Sequence, residues 1–284
     1  MLLADGSFPL ALLGRAVVGI GSGAGFVAGF DLVRAGGGGA VLQGAYGGAT
    51  MVGGGLALMM VPPLTDATDW RAPYWSAGVL ALAAAVPTLW ATGSVRPVRA
   101  DRWVLRDARL FPLGVLQAGT FGLAVVAGNW AVPLLERQGV SSAAAGLVGG
   151  LILFSGIVTR PLGGLLAGRG QQEALVVLAL LGVAAGAALL SLEMAVAVSA
   201  LGALLLGLAA GLPFAVIFAA AQRARPDAPA GAVALVNAFA VLTILAGTPV
   251  AGLAFDLPGD GRIAFAVIAA LAASALLALR GTDL

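Results

Sequence analysis

The chain has 284 residues, 60% of them hydrophobic and 10% charged, with a formal net charge of +2. Soluble domains usually carry about 25% charged residues, and a chain this apolar would leave large greasy patches in water, which excludes the ordinary soluble classes. Cys and His are both absent, so disulfides, thiol chemistry and Cys-ligated metals are excluded, along with the commonest metal ligand and neutral-pH proton carrier.

A bilayer-spanning helix needs about 20 predominantly apolar residues. The N-terminal MLLADGSFP has Asp5 and no basic residue before its apolar run, so it is not a convincing signal peptide. The first expected span is Leu10 to Val33, broken by Gly36 to Gly39. Val41 to Leu64 is the second, stopped by Pro62, Pro63, Asp66 and Asp69, and Pro73 to Gly93 is the third. Six more follow: Leu110 to Leu135, Ala143 to Ala167, Ala174 to Leu192, Ala195 to Ala221, Ala230 to Phe255 and Ile263 to Leu279. Glu193 is the only charge between Glu173 and Arg223. That run is far longer than one ~30 Å hydrocarbon core, so it must turn near Ser191 to Met194. The expected architecture is an all-α polytopic membrane protein of about nine helices.

Between the third and fourth spans lies RPVRADRWVLRDAR, with Arg96, Arg99, Arg102, Arg106 and Arg109 against only Asp101 and Asp107. Cytoplasmic loops are rich in Lys and Arg, so this connector, residues 94–109, is expected inside the cell. Strict alternation then also puts Arg34, Arg160, Arg169, Arg223, Arg225 and Arg280 inside, and only Arg71, Arg137 and Arg262 outside. The expectation is a multi-pass protein of the cell membrane, its C-terminus cytoplasmic and, with an odd helix number, its N-terminus outside. Residues 1–93 form a first group of three helices, and residues 110–284 a second group of six.

The first span holds Arg15-Ala-Val-Val-Gly19-Ile-Gly21-Ser-Gly23. Asp69-Trp70-Arg71 precedes the third span, and Pro133 and Gly139 close the fourth. Thr159-Arg160-Pro161-Leu162-Gly163-Gly164 and Arg169 lie at the end of the fifth, and Pro226, Asn237, Pro249, Gly252 and Asp256 punctuate the eighth. In order and spacing these resemble the major facilitator superfamily, in register with its helices four to twelve. In the helix 8–9 motif of that family an Asp precedes the Arg, where this chain has Gly168, and basic residues follow, where it has Gln171 and Gln172. The Gly-Pro signature of many antiporters is absent from Gly44 to Leu58. The resemblance implies a partial MFS fold and secondary transport of a small solute, with two bundles rocking around a midplane site. It also implies Arg160, Gly164 and Arg169 as a conformational gating motif. Helices one to three of the family have no counterpart, so three further spans are expected from upstream coding sequence, and poor transport from these 284 residues alone. The alternative expectation is a transport-inactive truncated protein with a structural or regulatory role.

Several side chains are candidates for the solute pathway. Arg15 lies inside the first span, where a charge is costly unless it snorkels or faces a cavity. Gln43, Tyr46, Gly47, Thr50 and Gly54 share one stripe of the second span. Gln117 and Thr120 share a face of the fourth span, with Asn129 and Trp130 nearer its outer end. Phe214 and Asn237 complete the set. For Gln117 and Asn129, lining a pathway and bonding a neighbouring helix are equally compatible with the sequence.

Gly19-Ile-Gly21-Ser-Gly23-Ala24 fits a dinucleotide fingerprint, but that motif needs a preceding strand, and here its glycines suit close helix packing. No carboxylate pair, nucleophile–base set or metal cluster is present, so neither an enzyme nor a cofactor site is expected. No basic face with stacking aromatics points to nucleic acid. The expected partners are the lipid bilayer, a small-molecule substrate and, where transport is ion-coupled, H+ or Na+.

Overall fold

The computed structural model describes residues 7–89, 102–192 and 195–284, and every element among them is helical. Arg96 and Arg99 of the connector, Glu193 and the first six residues lie outside that set. In chain order the long elements are α1 (Phe8–Ala35), α2 (Ala40–Ala67) and α3 (Ala72–Leu89). After a short 3-10 turn at Arg102–Arg106 come α4 (Leu110–Arg137), α5 (Ser142–Ala167) and α6 (Gln172–Ser191). The chain ends with α7 (Val196–Ala224), α8 (Pro229–Asp256) and α9 (Arg262–Gly281).

Among the described residues, eight helices are long and apolar enough to cross a membrane, so this is an all-α, multi-pass membrane fold. The helix outside that count is α3. It has 18 described residues, and the expected remainder of its span, up to Gly93, lies outside the described set. The turn expected after Ser191 is present, since α6 ends at Ser191 and α7 begins at Val196.

Local chemistry explains several of the boundaries. Ser141 caps α5 by accepting from Ala144 N at 3.4 Å, and Asp69 caps α3 by accepting from Arg71 N and Ala72 N at 2.8 and 3.1 Å. Gly139 leaves α4 at φ +82°, a conformation that glycine adopts without steric cost. Within α7, Pro213 has no N–H to donate. The helix tightens there, with Leu212 N bonding Ala209 O at 3.3 Å, and restarts at Phe214.

The packing axis is α5. It runs along α2 on one flank and against α7 and α4 on others, while α6 lies on α7 and α9, and α8 on α4. Glycine allows the close approach. A methyl group at Gly44 or Gly164 of this seam would collide with the backbone of Arg160 or Ala40, and one at Gly163 with Leu212 O. Small residues at helix contacts are how membrane helices gain van der Waals energy where lipid gives no hydrophobic drive.

Two apolar clusters fill the two ends of the bundle. One contains Leu134, Leu190, Leu206 and Phe265. The other contains Phe30, Leu110, Val176, Phe214 and Phe218. Polar groups sort the same way. Asp107 pairs with Arg109 at 2.8 Å and faces Arg225 at 3.8 Å, tying the start of α4 to the α7–α8 loop. Gly281 sits beside Pro112, so α9 ends there too. Arg137 donates to Phe255 O at the opposite end.

Candidate functional site

The best-defined polar site is built around Arg160. Its side chain is only 2% exposed, and it is the largest fully buried one among the described residues. It lies inside α5, about 10 Å before the helix ends at the usual rise per residue, so it is not one of the loop arginines that simple alternation counts. Pro161 follows it, and Gly48 of α2 packs on Ile157 O, the carbonyl that this proline leaves without a helical donor.

Three elements close around the guanidinium. From α2, Gly47 O accepts from Nη1, and Thr50 Oγ1 lies 3.4 Å from the same nitrogen. From α7, the Phe214 ring lies 4.0 Å from Cζ, and from α4 the Phe121 ring lies 4.9 Å from it. A desolvated cation–π contact contributes about 2 kcal/mol and a hydrogen bond to a charged group about 1.5–3 kcal/mol. These offset the several kcal/mol that burying an ion costs. The arrangement contains no counter-ion. Among the described residues Arg160 is in no ion pair, and its Nε is buried without a hydrogen-bond partner.

The Phe121 ring reaches Arg160 from an irregular stretch of α4. Residues Ala118–Gly122 form a single π turn between two α-helical pieces, a feature that recurs at functional sites. Thr120 is fully buried and turns its hydroxyl onto Leu116 O at 2.8 Å. Gln117, 1% exposed, leaves both amide atoms without partners among the described residues.

Beside Arg160 is a small cavity lined by Met51, Phe121, Ile152, Leu153 and Gly156 together with glycine and alanine of α7. A water-sized sphere has about 20 Å³ of room in it, and the space including its mouth is about 270 Å³. The lower figure suffices for one water. Next to it Phe26, Phe30, Tyr46, Phe214 and Phe218 form a connected aromatic cluster, with Phe214 and Phe218 4.7 Å apart.

The structure therefore brings together Arg160, Phe214 and the stripe residues Gly47 and Thr50. Other candidates go elsewhere. Tyr46 donates its hydroxyl to Gly25 O and Phe26 O at 3.0 and 3.3 Å, joining α2 to α1. Gln43 donates to Gly38 O at 3.3 Å, and its Oε1 is buried without a partner. Asn129 bonds Thr248 Oγ1 at 3.2 Å and Trp130 Nε1 donates to Thr248 O at 2.7 Å, so both hold α4 to α8. Trp130 also lies 4.7 Å from the Phe255 ring, over Gly252, where a methyl would meet the indole at 2.6 Å. The Asn237 side chain is half-buried and makes no hydrogen bond to the described residues. Gly164 seats α5 on α2. Arg15 and Arg169 are exposed and away from the site.

Phe121, Met51 and Gly156 were not candidates on sequence. Phe121 is presented by the π turn, which has no residue-level signal. Met51 is next to Thr50 and could have been found by widening the stripe by one position. A search among protein-family models and among curated proteins finds no match to this chain.

Proposed function

We propose that this chain acts in secondary transport of a small solute, by an alternating-access mechanism of the major facilitator type, with Arg160 at its centre. The observation that carries this reading is an unpaired cation enclosed at the junction between α2 of the first helix group and α4, α5 and α7 of the second. An ionisable side chain deep among membrane helices is costly and marks substrate or ion pathways. Transporters of this type place their solute at the interface of two bundles near the membrane midplane and rock those bundles around it.

Further features support the same reading. The α2–α5 seam is lined with glycines, which suits a surface along which helices move without large side chains catching. Both partners of Arg160 in the second group come from interrupted helices: α4 at its π turn and α7 at Pro213. Discontinuous helices recur at transporter sites. Arg34, Arg109, Arg223, Arg225 and Arg280 lie at the ends of helices that meet at one end of the bundle, and the positive-inside rule assigns that end, with the C-terminus, to the cytoplasm.

The test is uptake into membrane vesicles from cells carrying the natural gene, compared with cells in which Arg160→Gln has been introduced at the same locus. The expected result is solute uptake that depends on the gene and falls at least tenfold in the variant. Uptake unchanged by deleting the gene overturns the proposal and favours a structural or regulatory membrane protein, consistent with the wide exposed face of α1.

A further inference from the structure

Resting on the transport reading, the side chains around Arg160 define the chemical class of the solute. The guanidinium is satisfied on one flank, by Gly47 O and two ring faces, and unsatisfied on another, at Nε. A methyl built on Gly156 would lie 3.9 Å from Nε and 3.3 Å from Met51 Cγ, so glycine at this position keeps that side of the guanidinium free of a further side chain. The cavity next to it has both Gly156 and Arg160 in its wall.

We infer that this cavity binds a small, singly charged oxyanion, one of whose oxygens accepts a hydrogen bond from the Arg160 guanidinium. Charge sets the first limit. One cation and no carboxylate are present in the wall, so one negative charge is neutralised and a second is left without compensation. Hydration sets the next. Met51, Phe121, Ile152 and Leu153 offer no donors, so a strongly hydrated dianion such as sulfate cannot replace its water shell, whereas acetate or nitrate gives up less. Size sets the third. There is room for about one water-sized atom in the cavity beside Arg160, so a single oxygen enters while the rest of the head group occupies the mouth. Arg suits this task better than Lys because its donors are fixed in a plane and its charge is weakly hydrated.

The experiment measures thermal unfolding of the full chain in detergent by tryptophan fluorescence, with acetate, nitrate, acetamide and sulfate as probes. Acetate and nitrate separate the carboxylate and inorganic sources of the same chemistry, and either one satisfies the inference. The expected result is saturable stabilisation by at least one of them, with none from neutral acetamide and at least tenfold weaker apparent affinity for sulfate. In Gly156→Ala, which leaves the charge in place and a helix-compatible residue in α5, the apparent affinity falls at least tenfold. Arg160→Lys weakens it similarly and Arg160→Gln abolishes it; if the latter does not fold, the other two variants decide. Stabilisation equal for acetate and acetamide, or unchanged in Gly156→Ala and Arg160→Lys, overturns the inference. Oxyanion binding without gene-dependent uptake would sink the transport reading alone. Uptake of a neutral solute indifferent to acetate and nitrate would sink this inference alone.

Discussion

Helices α1 and α5 are nearly the same in composition and opposite in situation. Their mean hydropathies are 1.7 and 1.8, and each carries several glycines and an arginine away from its ends, Arg15 in α1 and Arg160 in α5. Yet half of the α5 window is buried and only 11% of the α1 window. Neighbouring backbones meet the glycines of α5 at Gly163 and Gly164, while Gly19, Gly21, Gly23 and Gly25 of α1 have nothing within 4 Å of an added methyl. Arg160 is enclosed by two rings and a carbonyl, and Arg15 stands exposed. Apolarity tells a helix to enter the bilayer. It does not say which helix becomes the axis of the protein, because lipid and protein interior are equally apolar.

That contrast breaks most visibly under side-chain insertion. Gly163→Leu in α5 is expected to destabilise the chain by more than about 3 kcal/mol, as overpacking against a backbone carbonyl does. Gly21→Leu in α1 should stay within about 0.5 kcal/mol, as exposed positions do. Melting temperatures in a mild detergent check both, and equal losses would remove the distinction. A smaller effect sharpens it. The inner edge of α1 is held by Tyr46, and Tyr46→Phe deletes the hydroxyl that bonds Gly25 O and Phe26 O. A loss of about 1 kcal/mol is expected, read from the same melts.

Smaller again is Asn129→Ala. Asn129 is exposed and its one described bond goes to Thr248. Interhelical hydrogen bonds in membrane proteins average about 0.6 kcal/mol, so stability should fall by about that much, and vesicle uptake should change less than twofold. The smallest effect belongs to the polar end of the bundle. Asp227, outside the spans, is held down to about 2, chiefly by its bonds to Arg225. A depressed carboxylate stabilises the folded state above its unfolded value of about 3.9, and that contribution fades as pH falls from there towards 2. Melting curves at pH 5 and pH 2.5 should therefore differ slightly less in Asp227→Asn than in the natural chain.

Much of the fold was legible because it depends on hydrophobic runs and their interruptions. The second span was expected to stop at Pro62 and Pro63, but α2 runs through both and ends at Ala67, between Asp66 and Asp69 and three residues past the expected Leu64, and the charge-poor stretch after Glu173 divides where its length requires. The site was legible only in pieces. Phe214 and the Gly47–Thr50 stripe were visible as an aromatic residue and a polar face. Their meeting at Arg160 was not, because Arg160 read as part of a gating motif at the end of its span, and nothing local says that α2, α4 and α7 close around it. Nor did anything in Ala118–Gly122 announce a π turn, whose one extra residue depends on tertiary packing rather than on local preference. Asn129 and Trp130 show the other side: both bond Thr248, which for Asn129 is one of the two readings the sequence left open.

The most direct test of the contrast uses the absence of cysteine in the chain. Ser22 on the open face of α1 and Ser155 in buried α5 can each be replaced singly by Cys and spin-labelled in liposomes. The account predicts a mobile label at position 22 that collides freely with membrane-dissolved oxygen, and an immobile, oxygen-shielded label at position 155. Equal mobility and oxygen access at the two positions, or shielding at 22 with exposure at 155, would contradict it.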